Sequence, residues 1–139
     1  MAAWPWVGLG RFEAMTLPIP PKRPARAATR LASFGHALRG LRLFVSQPNA
    51  RIHGVAACVV VGLGWWLGVS RLEWVALTLA IALVMGAEAL NTALEYVVDL
   101  ASPEWHPLAR DAKDVAAGAV LICSLGAAVV GLLVFLPRL

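Results

Sequence analysis

Residues 88–99 have the sequence EALNTALEYVVD and place five polar side chains in an otherwise apolar stretch. The preceding segment, residues 74–87, has no charged residue, and no proline interrupts residues 74–99. Positions three, four, seven and eleven apart return to the same side of an α-helix. The pattern therefore predicts one membrane-spanning helix whose polar side chains share a face roughly 100° wide. These side chains are Glu88, Asn91, Thr92, Glu95 and Asp99.

Two of the three carboxylates in this stretch, Glu88 and Glu95, would lie within the hydrocarbon, where a charge is costly, and they favour a functional interpretation. The alternative is that polar groups only join helices through hydrogen bonds of roughly 1 kcal/mol, and it stays open for Asn91 and Thr92. The helical rise separates Glu88 from Asp99 by ~16 Å, which suits a lipid that meets a water-soluble donor. We expect Glu88 to take a proton from a hydroxyl group and Glu95 to hold a divalent cation near phosphates.

The composition is that of a membrane protein. Of the 139 residues, 60% are hydrophobic and 14% are charged, whereas about a quarter are charged in ordinary soluble domains. The net charge is +4, and eight of the 12 Lys and Arg residues precede position 52. Because these charges border apolar spans and lack interleaved aromatic residues, they favour anionic lipid headgroups and argue against nucleic acid. Cys58 and Cys123 lie in apolar runs and are predicted to be packing residues.

The chain divides into a tail and one membrane domain. Residues 1–29 contain five prolines and several basic residues, which predicts an irregular, Pro-rich basic tail. Residues 30–139 form the predicted membrane domain, an all-α unit that opens with an amphipathic interfacial helix over residues 30–46. Three transmembrane helices are predicted at about residues 52–69, 74–99 and 115–136. With the basic N-terminus in the cytoplasm, the loop around His106 is also cytoplasmic and the C-terminus lies outside.

A polar segment, residues 100–113, is predicted to be the longest loop and contains two prolines. Lys113 and Asp114 would then open the third spanning helix. A lysine beside a helix N-terminus is unfavourable for the helix dipole, which indicates another task such as a phosphate contact. The alternative for this pair is a lysine that extends toward the interface next to an aspartate cap.

Three ordered motifs resemble the prokaryotic diacylglycerol kinase and undecaprenol kinase family. They are EALNTALEYVVD at residues 88–99, PEWHP at residues 103–107 and AKDVAAGA at residues 112–119. The resemblance extends from about Arg30 to the C-terminus. It implies a homotrimer of three-span subunits in the bacterial inner membrane. It also implies transfer of the γ-phosphoryl group of ATP to a lipid hydroxyl with the help of Mg²⁺.

The resemblance also implies roles for individual residues. Glu88 resembles the general base and Glu95 a metal ligand. The other implied roles are active-site supports (Asn91, Asp99), nucleotide contacts (Lys113, Asp114), a loop that reaches the nucleotide (Glu104, Trp105, His106) and an arginine near the substrate and phosphates (Arg30).

One position departs from the family. Where the family commonly has a metal-binding glutamate, this chain has Gln47, followed by PNARIH at residues 48–53. A glutamine offers a neutral oxygen but no charge. We expect Gln47 either to weaken the metal site or to bind the metal through a water molecule.

The resemblance favours undecaprenol as the substrate, because the NARIH stretch at residues 49–53 and the PEWHP loop are more similar to the undecaprenol branch. Diacylglycerol, which would give phosphatidic acid, is the alternative substrate. A non-catalytic membrane subunit with the same fold is an alternative of another class. A small transporter or channel is a further alternative, but it leaves Lys113 and Asp114 unexplained.

Overall fold

The computed structural model describes residues 30–139, with side chains from residue 32 onward. The predicted tail over residues 1–29 and the side chain of Arg30 lie outside the described part. Within it the chain is entirely helical, in agreement with the predicted all-α class. The elements are α1 (Arg30–Ser46), α2 (Pro48–Trp66), α3 (Arg71–Ala101) and α4 (Pro107–Phe135), followed by a 3₁₀ turn, Leu136–Arg138.

Helix α2 starts and ends a few residues before the span predicted at 52–69. Pro48 occupies its first turn, where the missing N–H costs no hydrogen bond. The helix ends at Trp66 because Gly68 takes a left-handed conformation, with φ of 62°. Val69 therefore lies in the turn that follows, where its side chain is buried.

Helix α3 is capped at its start by a reciprocal pair of hydrogen bonds. The backbone N–H of Glu73 donates to Ser70 Oγ at 3.4 Å, and the N–H of Ser70 donates to Glu73 Oε2 at 2.7 Å. This capping box satisfies two N–H groups that a helix start otherwise leaves unpaired. The helix then runs for 31 residues and contains the whole predicted span 74–99.

The predicted loop over residues 100–113 is wrong in extent, because α4 already begins at Pro107. Proline suggested a loop, yet it is favoured in the first turn of a helix. His106 caps this helix, with its Nδ1 accepting from the Leu108 N–H at 3.2 Å. Lys113 and Asp114 therefore lie nearly two turns inside α4 rather than at its opening. The dipole argument for Lys113 fails, since the helix-end field fades within one turn.

The helices pack with α3 between α2 and α4, and the contact between α3 and α4 is the most extensive. A small apolar core joins Val69, Leu77 and Val134 near the start of α3. Most other large apolar side chains are exposed in the single chain, including Leu83 and Ile122. In the described part, the helices at Arg71–Ala101 and Pro107–Arg138 are long and apolar enough to cross a membrane. This is the surface of a membrane protein, whose apolar side chains face lipid or other subunits.

Candidate active site

Three of the five polar side chains predicted to share one face of α3 are buried. Glu88 is 2% exposed, Asn91 5% and Thr92 8%. They continue the stripe that Leu77 and Val84 begin, with spacings of seven, four and three residues. The helix therefore turns one continuous side into the protein, apolar in its first half and polar in its second.

Glu88 is buried without a compensating partner. Among the side chains that the structure describes, none forms a hydrogen bond or ion pair with its carboxylate. A carboxylate that has no hydrogen-bond partner within the protein is open to a donor from outside the chain. Glu88 can therefore accept a hydrogen bond from a group that is not part of this chain.

Asn91 and Glu95 are joined directly. The Asn91 Nδ2 donates to Glu95 Oε1 at 3.0 Å. The other end of the same amide, Oδ1, is buried and has no hydrogen-bond partner. A buried acceptor left unpaired costs about 1–3 kcal/mol, so this oxygen is available to a ligand.

The oxygens of Asn91 and Glu95 suit a hard cation such as Mg²⁺, which is usually bound by one or two carboxylates and the phosphates of a nucleotide. Residues 32–139 contain no group of three His, Cys, Asp or Glu side chains that could enclose a metal alone. Gln47 forms no hydrogen bond with Glu95. Its Nε2 donates to the Tyr96 hydroxyl at 2.7 Å.

A polar cleft lies where α3 ends and α4 begins. Lys113 Nζ pairs with Asp99 Oδ1 at 2.5 Å and thereby links the two helices. The cleft has a volume of about 250 Å³, and its walls include Glu104, Trp105 and His106 from the intervening loop. The structure thus brings together five residues that the sequence indicated for the nucleotide or its surroundings.

Arg110 also lines this cleft, and the sequence reasoning missed it. It lies three residues before Lys113, a helical spacing that the predicted loop concealed. Asp114, by contrast, is absent from the cleft wall. Its carboxylate lies 3.7 Å from Arg110 Nε on the exposed surface of α4.

An apolar groove opens on the opposite side of Glu88, away from the polar cleft. It has a volume of about 570 Å³, lies between α2, α3 and α4, and is lined by Val84 and Met85, one turn before Glu88. Small residues on α4, Ala127, Ala128 and Gly131, leave this space open. Glu88 therefore lies between a groove that suits a hydrocarbon chain and a cleft that suits a polar molecule.

The match to known proteins is extensive. The family model described as prokaryotic diacylglycerol kinase matches residues 35–135. A protein named undecaprenol kinase from Bacillus subtilis is 43% identical over 108 residues, which cover 77% of this chain and 88% of the relative. A protein named diacylglycerol kinase from Synechocystis is 40% identical over 126 residues, covering 85% and 72%. Another of that name from Escherichia coli is 38% identical over 96 residues, covering 68% and 79%.

Proposed function

Since this chain belongs to the prokaryotic diacylglycerol kinase family and is a lipid kinase, we propose that it transfers the γ-phosphoryl group of ATP to undecaprenol. The similarity to the relative named undecaprenol kinase favours this substrate. The observation that carries the chemistry is the buried, unpartnered Glu88 between an apolar groove and a polar cleft. A lipid whose chain lies in the groove presents its hydroxyl group near this carboxylate.

In the proposed reaction the lipid hydroxyl oxygen attacks the γ-phosphorus of ATP. The bond between the γ-phosphorus and the β–γ bridging oxygen breaks, ADP leaves, and Glu88 accepts the hydroxyl proton. Phosphoryl transfer depends mainly on positioning and charge neutralisation, so a general base and a few polar contacts suffice. Thr92, one turn from Glu88, is buried beside it and is best explained as a packing residue of the same face.

The nucleotide occupies the polar cleft in this proposal. Lys113 contacts its phosphates while Asp99 holds the lysine in place. Glu104, Trp105 and His106 supply the loop side of the cleft. The remaining assignments come from the family resemblance alone: Asp114 as a nucleotide contact and Arg30 near the phosphates.

We further propose that residues on α3 would hold Mg²⁺ as the cofactor of this reaction. Glu95, the free Asn91 Oδ1 and the Gln47 side-chain oxygen are the groups that would hold it. When bound, the ion supplies charge neutralisation on the phosphate oxygens. Asn91 keeps the Glu95 carboxylate oriented through its Nδ2 hydrogen bond.

The assembly and topology are also proposals. We infer a homotrimer in the bacterial inner membrane from the family resemblance, and the apolar side chains that one chain leaves exposed on α3 and α4 would face lipid or the other subunits. Helix α2 would be the third span, α1 an interfacial helix, and residues 1–29 a tail outside the kinase domain. The N-terminus and the cleft face the cytoplasm, where ATP is found, and the C-terminus lies outside.

The experiment that tests the substrate uses the purified full chain in lipid nanodiscs with ATP and Mg²⁺. Transfer of ³²P to undecaprenol is measured against transfer to diacylglycerol at matched concentrations. We expect the higher kcat/KM with undecaprenol. A clearly higher value with diacylglycerol, in line with the relatives of that name, would reverse the substrate assignment.

A further inference from the structure

The corner between α1 and α2 is tied to α3 by one side-chain hydrogen bond. Gln47 Nε2 donates to the Tyr96 hydroxyl at 2.7 Å, across 49 residues of sequence. The Gln47 backbone is fixed on both sides, since its N–H donates to Phe44 O at 3.0 Å and its carbonyl accepts from the Arg51 N–H at 3.2 Å. Because the backbone is held, the side-chain torsions alone decide how the amide is oriented.

An amide side chain has two unlike ends of similar size. The nitrogen end donates hydrogen bonds and cannot bind a cation, whereas the oxygen end accepts hydrogen bonds and suits Mg²⁺. In Gln47 the nitrogen is engaged by Tyr96, so the oxygen remains for a ligand. Asn91 shows the same division, with Nδ2 donating to Glu95 and Oδ1 buried without a partner. Both amides direct their nitrogen to an α3 side chain and keep their oxygen free.

We propose that Tyr96 is a positioning residue that acts through Gln47. Its hydroxyl accepts from Nε2 and thereby holds the amide with Oε1 toward the cation that Glu95 binds. This inference rests on the proposed lipid kinase function and on Mg²⁺ as its cofactor. Tyr96 follows Glu95 directly in α3, so this hydrogen bond joins the α1–α2 junction to α3 next to the proposed metal ligand.

The two ends of a carboxylate, unlike those of an amide, are the same. A glutamate at position 47 would present an oxygen in either orientation and would not depend on Tyr96. The proposal therefore predicts that removing the Tyr96 hydroxyl weakens cation binding when position 47 is glutamine. It predicts little effect on cation binding when position 47 is glutamate. A purely structural role for Tyr96 predicts the same effect in both backgrounds.

The test measures binding of Mn²⁺, as a paramagnetic substitute for Mg²⁺, by electron paramagnetic resonance on the full chain in nanodiscs. Four proteins are compared: wild type, Tyr96→Phe, Gln47→Glu and the double variant. We expect Tyr96→Phe to weaken Mn²⁺ binding about fivefold, since a net hydrogen bond is worth about 1 kcal/mol. Gln47→Glu should bind at least as tightly as wild type, and Tyr96→Phe should change it less than twofold.

Two results would overturn the inference: unchanged Mn²⁺ binding in Tyr96→Phe, or an equal loss in both backgrounds. A wild-type protein that phosphorylates lipid but binds no Mn²⁺ would overturn the proposed cofactor and this inference, and leave the kinase function intact. The hydrogen bond itself has an independent readout, because Tyr96 is the only tyrosine in the chain. In nuclear magnetic resonance spectra of protein with ¹³Cζ-labelled tyrosine, Gln47→Ala should shift the single Tyr96 resonance. An unshifted resonance would contradict the hydrogen bond between Gln47 and Tyr96.

Discussion

Helix α3 carries two glutamates whose surroundings are opposite. Glu73, near the start of the helix, is partly buried, and Glu88, near the middle, is almost completely buried. The Glu73 carboxylate accepts from the Ser70 N–H at 2.7 Å and from Arg138 at 2.6 Å. Glu88 is more deeply buried and has no such partner among the described side chains. The fold thus supplies hydrogen-bond partners to the Glu73 carboxylate. It supplies none to the Glu88 carboxylate in the described part of the chain, so a partner for Glu88 has to come from a bound molecule.

The rest of each region follows the same division. Around Glu73, apolar side chains pack closely, and the Trp65 and Trp74 rings meet edge to face at a centroid distance of 6.2 Å. Near Glu88, an apolar groove opens one turn before it and Asn91 Oδ1 lacks a partner one turn after it, while the polar cleft begins at Val98, farther along α3. The start of α3 is closely packed and its charges are paired, whereas the middle of α3 borders open volume and has an unpaired polar atom, as the proposed ligand sites require. Substitutions should therefore separate the two: stability changes at the first end and kinetic changes at the second.

The largest effect is expected from Glu88→Gln, which keeps the side-chain size and removes the proposed general base. General base catalysis contributes about 10²–10⁴-fold, so kcat for lipid phosphorylation should fall about 10³-fold. Nucleotide binding, followed by a fluorescent ATP analogue, should stay within twofold because the cleft is unaltered. The matched control is Glu73→Gln, which should keep kcat. Wild-type turnover in Glu88→Gln would remove this residue from the mechanism.

Lys113→Gln should give the next largest effect. It removes the charge that Asp99 holds in the cleft at 2.5 Å. A hydrogen bond to a charged group is worth about 1.5–3 kcal/mol, so the KM for ATP should rise roughly thirtyfold. The KM for lipid should change little, because the groove lies beyond Glu88. Steady-state kinetics with each substrate varied in turn would check this, and an equal rise in both KM values would contradict the separation of the two sites.

Two glycines in α2, Gly62 and Gly64, test how closely α2 packs against the start of α3. A Cβ at Gly64 would lie 2.8 Å from the Trp74 ring, whereas a Cβ at Gly62 would meet nothing within 4 Å. Overpacking costs about 1–3 kcal/mol, and alanine regains about 0.5–1 kcal/mol of helix propensity. Gly64→Ala should therefore lose about 1 kcal/mol of stability, while Gly62→Ala should be neutral or stabilising. Thermal unfolding in detergent, followed by tryptophan fluorescence, would show equal midpoints if the contact with Trp74 did not matter.

Much of this division was predictable from the sequence. The apolar run before Glu88 and the spacing of the polar residues after it give the helix and its inward face, because both depend only on helical periodicity. The ends of the helices were harder to predict from the sequence. Pro107 starts α4 instead of extending a loop, so the depth of Lys113 in the helix and the presence of Arg110 in the cleft were missed. A proline supports either interpretation, and tertiary packing decides between them.

Hydrogen bonds between residues that are far apart in the sequence could not be predicted from it. Nothing in the local pattern joins Gln47 to Tyr96 or Glu73 to Arg138, since each pair depends on how separate helices are placed relative to each other. A single glutamine in place of a glutamate indicates an altered metal site, but not which end of the amide is free. The structure supplies that, because it gives the nitrogen a partner.

The smallest effect is expected from Arg138→Gln. Arg138 donates to the Val134 carbonyl at 2.7 Å and to Glu73 at 2.6 Å, and so ties the end of the chain to the start of α3. Both charged side chains keep about a quarter of their surface exposed, 27% and 26%, and ion pairs of partly exposed groups are worth about 0–1 kcal/mol. The unfolding midpoint should therefore fall slightly, and less in high salt, while kcat and both KM values stay at wild-type levels. A kinetic change in this variant would mean that the packing at the start of α3 influences the proposed active site around Glu88.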